Sequence, residues 1–112
     1  MSEEEAIEKL GEDNIEVYHS EATSLERSLY SQNSQTFYTK VIIEKTKKGI
    51  VGIHYVGPNA GELIAGYSLA MQKGLNFDDL ESSFGVHPTT AEELHNLRIT
   101  KRSGEDFRKT EC

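Results

Sequence analysis

A histidine and a glutamate near the C-terminus have the residue types and spacing of an acid/base pair. His87 stands directly before Pro88, and Glu92 lies five positions after the histidine. A carboxylate that reaches a ring nitrogen of histidine fixes the tautomer and favours the imidazolium, as acid/base histidines require. A structural explanation competes with this one, because Thr89 and Glu92 also have the spacing of a capping box. The spacing alone leaves both interpretations open.

Cys112 is the last residue and the only cysteine of the chain. Arg108 and Lys109 would favour its ionisation, whereas Glu111 and a terminal carboxylate would oppose it. A single cysteine excludes an internal disulfide and fits a reducing compartment. The residue is either a redox thiol or an incidental cysteine, and the residues around it do not decide between these.

The other candidate sites are weak. His19, His54 and His95 have no metal-ligand spacing with one another or with Cys112, so we predict no metal site. The glycines of residues 57–62, GPNAGE, match neither the dinucleotide fingerprint nor the phosphate-loop pattern. The chain therefore has too few functional parts to be a complete enzyme.

The composition narrows the class of partner. The 112 residues are enough for one domain, and the formal net charge is −7. This charge argues against nucleic acid and anionic membranes as partners, since both require a surplus of lysine and arginine. No apolar run approaches the roughly 20 residues of a membrane span, and the acidic N-terminus is unlike a secretory leader. We expect a cytoplasmic protein, although a mitochondrial transit peptide would lie upstream of this segment.

The periodicity predicts an α+β fold in which helices cover one face of an antiparallel β-sheet. The elements expected are a helix that begins with a capping box of Ser2 and Glu5, a strand over residues 15–19 and a loop over residues 20–35. A hairpin over residues 37–56 follows, and the alternation of its first strand places Val41 and Ile42 on opposite faces. Two further helices are capped by Asn59 and Asn76, with Glu62 and Asp79 at the capping-box positions; a helix after Pro88 and a frayed polar tail from Arg98 complete the chain. The helix over residues 59–74 contains Gly61, Ala65, Gly66 and Ser68. These small residues predict close packing, either against the sheet or across a twofold interface.

Two segments carry a resemblance to a known family. Residues 51–62, VGIHYVGPNAGE, and residues 87–93, HPTTAEE, resemble the dimerisation domain of the pyridine-nucleotide disulfide oxidoreductases, the group of glutathione and thioredoxin reductases. The KRSG of residues 101–104 and the tail to Cys112 are similar to animal-type thioredoxin and thioredoxin-glutathione reductases, whose C-terminal redox arm ends in Gly-Cys-selenocysteine-Gly or a two-cysteine version. This chain departs from that pattern, because Glu111 replaces the glycine and nothing follows Cys112. A selenocysteine codon read as a stop would produce such an end.

The resemblance implies how the chain would work. Residues 1–112 would form one interface domain, with residues 98–112 as a flexible redox arm and with the FAD and NADPH domains outside this chain. In a homodimer, His87 would exchange protons with thiols of the partner subunit, Glu92 would orient it, and Cys112 would carry electrons to thioredoxin. His87 and Pro88 would line the partner's flavin pocket. Two alternatives stay open: a non-catalytic self-association module, and a glutathione-reductase-like parent in which Cys112 is incidental.

Overall fold

The architecture was obtained from a computed structural model, which describes residues 1–24 and 35–109. Three antiparallel strands form one sheet in the order β1-β2-β3, with β1 at Ile15–Thr23, β2 at Thr36–Glu44 and β3 at Ile50–Val56. The α-helices are α1 at Glu3–Leu10, α2 at Ala60–Gln72 and α3 at Phe77–Ser82. Short 3-10 helices lie at Glu12–Asn14, Thr90–His95 and Lys101–Ser103. The predicted α+β class with an antiparallel sheet is confirmed.

The alternating pattern of β2 divides the core between the two faces of the sheet. Val41 and Ile43 point to one face, where they pack with Phe77 and Leu80 of α3 and with residues of α2. Ile42 points to the other face and packs with residues of α1 and β1. Helices α2 and α3 thus cover one face of the sheet, as predicted. Helix α1 covers part of the opposite face.

Local capping signals account for two of the three α-helix starts. Ser2 and Glu5 form a complete capping box at α1, and Asn76 and Asp79 form another at α3. The cap predicted at Asn59 is wrong, because this residue has a left-handed backbone and its side chain makes no capping bond. Helix α2 therefore begins at Ala60 without the expected capping box.

Tertiary pairing changes two other predictions. The loop expected over residues 20–35 is shorter, because β1 continues to Thr23 and Ser20 pairs with Thr39. Residues 25–34 lie outside the described part of the chain. The helix expected after Pro88 is a 3-10 helix over Thr90–His95, which still buries Leu94 in the core.

The tail expected to fray from Arg98 instead lies along β1 over residues 99–109. The backbone N–H of His19 donates to the Ile99 carbonyl at 3.0 Å, and the N–H of Glu21 donates to the Phe107 carbonyl at 3.0 Å. The Lys109 N–H returns a bond to the Glu21 carbonyl at 2.8 Å. Backbone hydrogen bonds therefore hold this polar segment against β1. The amino-acid composition of the segment does not predict them.

Candidate functional site

The site is built from a loop and the short helix that follows it. The chain leaves α3 at Ser82, runs through residues 83–88 and enters the 3-10 helix Thr90–His95. The His87–Pro88 peptide bond in this loop is cis. His87 therefore lies on the connecting segment, and Glu92 lies on the helix beside it.

His87 and Glu92 form a direct hydrogen-bonded pair. The imidazole Nδ1 lies 3.0 Å from one carboxylate oxygen of Glu92 and 3.3 Å from the other. An ionised carboxylate only accepts hydrogen bonds, so Nδ1 carries the proton and donates it. In the neutral ring this leaves Nε2 as the basic nitrogen.

The histidine of this pair faces away from the domain. The His87 side chain is 65% exposed, whereas the Glu92 side chain is 24% exposed. Phe84 and Val86, which precede the histidine, are 96% and 72% exposed. A partly covered carboxylate thus holds an outward-facing imidazole, and large apolar side chains lie beside it.

The capping-box explanation for Glu92 does not describe this site. Thr89 occupies the cap position of the 3-10 helix, but its side chain makes no capping bond and donates instead to the Val86 carbonyl at 2.6 Å. The carboxylate of Glu92 is engaged by His87. The next residue, Glu93, is buried and forms an ion pair with Lys109 of the tail.

Gly85 allows the loop to approach the helix. A Cβ atom added at Gly85 would overlap the Cβ of Glu92 and lie 2.6 Å from its Cα. Only glycine fits at this distance without a shift of the backbone. The small residue two positions before His87 thus brings the loop against the residue that binds the histidine.

Sequence reasoning missed His95, whose ring makes three hydrogen-bonding contacts near the site. Its Nε2 lies 2.8 Å from the Tyr67 hydroxyl of α2. Its Nδ1 lies 2.9 Å from Ser83 Oγ and 3.1 Å from the Leu80 carbonyl oxygen. No local motif signals these contacts, because the partners are 12 to 28 residues away in the sequence.

Cys112 lies outside the described residues, so its predicted role as a redox thiol stays a prediction. The two cations expected to assist its ionisation both have carboxylate partners. Arg108 Nε lies 3.1 Å from Asp106, and Lys109 pairs with Glu93. The Lys109 pair links the tail to the 3-10 helix Thr90–His95, whereas the Arg108 pair is local to the tail.

The small residues of α2 do not pack against the sheet. The helix contacts the core through Leu63, Tyr67 and Met71. Gly61 and Gly66 lie on its exposed side, where an added Cβ would meet no atom within 4 Å. Of the two packing modes predicted for this helix, the structure excludes the one against the sheet.

Residues 1–24 and 35–109 lack the features of two further classes of site. This part of the chain contains no group of three or more histidine, cysteine, aspartate or glutamate residues placed to hold a metal ion. None of its helices has the length and hydropathy of a membrane span.

Comparison with known proteins identifies the family. The model of the pyridine nucleotide-disulphide oxidoreductase dimerisation domain matches residues 1–98. The chain belongs to this family. The described dimerisation domain therefore carries the His87–Glu92 pair on a surface that its own core does not cover.

Two relatives place the dimerisation domain within larger oxidoreductases. The chain is 44% identical over 113 residues to "Thioredoxin reductase 2, mitochondrial" of Drosophila melanogaster, covering 100% of this chain and 22% of the relative. It is 42% identical over 113 residues to "Thioredoxin reductase SEP1" of Emiliania huxleyi, covering 100% of this chain and 23% of the relative. The chain thus spans less than a quarter of the length of the curated relatives that it matches.

Proposed function

We propose that this dimerisation domain supplies His87 as the acid/base group for thiol–disulfide exchange in a partner subunit of a thioredoxin reductase. The observation that supports this role is the hydrogen bond from His87 Nδ1 to Glu92, which leaves Nε2 as the basic nitrogen of an imidazole that is 65% exposed. A histidine that serves its own domain would instead point toward a pocket of that domain.

The chemistry requires a proton carrier with both protonation states accessible. In thiol–disulfide exchange a thiolate attacks one sulfur, and the other sulfur leaves as a thiolate that must be protonated. Nε2 of His87 would accept the proton of the attacking thiol and return it to the leaving one. Glu92 would hold Nδ1–H throughout, stabilising the imidazolium when it forms.

The proposed partner surface includes the exposed residues that precede His87 in the loop. Phe84 and Val86 expose large apolar areas next to His87, which suits contact with a second protein surface rather than with water. We propose a homodimer in which this surface meets the partner subunit beside its dithiol. Exposed His87 and Pro88 would then border the flavin of the partner subunit. This flavin and NADPH, both bound outside this segment, would supply the electrons.

The proposed substrate is thioredoxin, and the proposed second redox group is Cys112. The name of the two relatives supports this choice over glutathione disulfide. Cys112 would be presented by the end of the predicted arm of residues 98–112, because backbone hydrogen bonds of Ile99, Phe107 and Lys109 hold the earlier part to β1. The Drosophila relative is named as mitochondrial, whereas for this chain we propose the cytoplasm.

A domain exchange tests the role of His87. In the Drosophila relative, the 113 matching residues are replaced by this chain, and the chimera is compared with its His87→Ala variant. Stopped-flow absorbance follows flavin reduction by NADPH and the subsequent reduction of a disulfide. We expect the second step to slow about 100-fold or more, because acid/base catalysis contributes about 10²- to 10⁴-fold, while the first step is unchanged.

The matched control replaces another histidine in the same way. His54 lies on β3 rather than on the site loop, and its ring contacts the Met1 carbonyl; His54→Ala removes that ring. It should leave both steps unchanged, and flavin content and dimer mass should be equal in all three proteins. Equal slowing of the two steps in His87→Ala would contradict an acid/base role.

A further inference from the structure

His95 ties together three elements beside the His87–Glu92 pair. The Leu80 carbonyl can only accept a hydrogen bond, so the proton of His95 lies on Nδ1 and is directed toward Leu80 and Ser83. Burial raises the pKa of Tyr67, so its hydroxyl stays protonated and can donate to Nε2 of His95. One side chain therefore joins the end of the 3-10 helix to both α2 and α3.

The 3-10 helix places His95 and Glu92 on the same side. Residues three apart eclipse one another in a 3-10 helix, and both of these side chains contact the segment of residues 83–87. Ser83 meets His95 at one end, Gly85 packs against Glu92 in the middle, and His87 meets Glu92 at the other end. The contacts of Ser83 and Gly85 with this helix therefore determine where His87 meets Glu92.

We propose that His95 is a positioning residue, which fixes the 3-10 helix against residues 83–87 so that Glu92 can hold the His87 ring. His95 contacts none of the groups assigned to proton transfer and acts only through Glu92. Its effect on catalysis rests on the proposed function, whereas its effect on the His87 ring does not.

The ring itself provides the first test. In the 112-residue chain labelled with ¹⁵N-histidine, long-range proton–nitrogen spectra distinguish protonation at Nδ1 from protonation at Nε2. The spectra are recorded at a pH at which the ¹⁵N chemical shifts themselves show that the ring is neutral. We expect His87 to be protonated mainly at Nδ1, the state that Glu92 stabilises.

Four variants separate positioning from general stability. His95→Leu removes all three ring contacts, Tyr67→Phe removes only the hydroxyl, and His95→Asn keeps a donor near the Nδ1 position. His54→Leu is the matched control on β3. Losing a hydrogen bond of ordinary strength should lower the Nδ1-to-Nε2 ratio at His87 about 3- to 10-fold in His95→Leu, less in Tyr67→Phe, and not in His54→Leu. His95→Asn should restore part of the ratio.

The same variants in the chimera separate this inference from the proposed function. A changed ratio together with slower disulfide reduction supports both. A changed ratio with an unchanged rate supports the positioning role and contradicts the catalytic role of His87. An unchanged ratio in His95→Leu, with the backbone spectrum of a folded domain, overturns the inference whatever the rate. If His95→Leu does not fold, the Tyr67→Phe ratio decides in the same way.

Discussion

The Phe107 ring stacks on the imidazole of His19, with the ring centroids 4.5 Å apart. Tyr38 meets Phe107 edge-on at 5.9 Å, and its hydroxyl lies 3.2 Å from Nδ1 of His19. Phe107 belongs to the tail, whereas the other two residues lie on adjacent strands. This aromatic cluster therefore couples the order of the tail to the folded sheet.

Removing the ring at position 107 should loosen the tail. Phe107 is half-buried, so Phe107→Ala should lower the free energy of unfolding by about 1–2 kcal/mol, less than the 3–5 kcal/mol of a fully buried phenylalanine. Urea unfolding measures this loss, and hydrogen exchange should become faster at the Glu21 and Lys109 amides. Arg108→Ala changes an exposed neighbour and should stay within about 0.5 kcal/mol. Equal effects of the two changes would show that the ring contributes nothing.

Protonation of His19 should weaken the same contact. Burial is the main cause that lowers the pKa of His19 below 6.5; the positive charges of Lys101 and Lys40 lower it further, and Glu3 acts in the opposite direction. The unfolded chain therefore takes up this proton at a higher pH than the folded domain. Stability from the neutral ring is complete above about pH 6.5 and is lost as the pH falls below it toward the lower folded pKa.

The variant His19→Phe isolates this contribution, because it retains an aromatic ring but cannot be protonated. Thermal unfolding is measured at steps between about pH 7 and pH 5, above the range in which most carboxylates titrate. The unfolding temperature of the wild-type chain should fall more steeply with decreasing pH than that of His19→Phe. If the unfolding temperatures of the two proteins change in parallel with pH, His19 has the same proton affinity in the folded and unfolded states.

Two glycines should respond to alanine with opposite signs. At Gly57 a Cβ would overlap that of Phe37 and lie 3.0 Å from the Tyr55 hydroxyl, so Gly57→Ala should destabilise by about 1–3 kcal/mol. At Gly66, inside α2, a Cβ meets open space, so Gly66→Ala should stabilise by about 0.5–1 kcal/mol. Chemical unfolding of the 112-residue chain measures both. Destabilisation by Gly66→Ala would instead show that this helix face is covered in solution.

The two adjacent glutamates should have separable effects in the chimera. Glu92→Gln keeps the shape but removes the charge that favours the imidazolium, so disulfide reduction should slow about 10-fold with little loss of stability. Glu93→Gln removes the partner of Lys109, so it should lower the unfolding temperature with a smaller effect on that rate. Stopped-flow rates and thermal unfolding of both variants provide the test. A reversed pattern would assign the functional carboxylate to Glu93.

Local signals predicted local structure well. Ser2 and Asn76 form the expected capping boxes because the partners lie within one helical turn, and the alternation of β2 correctly separates Val41 from Ile42. The spacing of His87 and Glu92 indicated the pair that the structure brings together. These features depend on residues close in the sequence, so a pattern of residue types can predict them.

Features that depend on distant partners were not predictable in this way. Ser20 belongs to a strand because Thr39 lies opposite it, although its own neighbours are typical of a loop. His95 has no motif, since Tyr67 and Ser83 reach it from other helices. The tail has a polar composition, but its order derives from backbone bonds to β1 and from Phe107. Composition does not record such pairings.

The bonds between residues 99–109 and β1 also affect how the domain can be handled and shortened. β1 ends the sheet on one side, and the tail occupies the N–H groups of His19 and Glu21 that would otherwise be free to pair with another chain. Unpaired strand borders promote association of sheets between molecules. A version shortened before Ile99 would uncover this border, so loss of solubility is an expected consequence of truncation, in addition to the stability that the tail contributes.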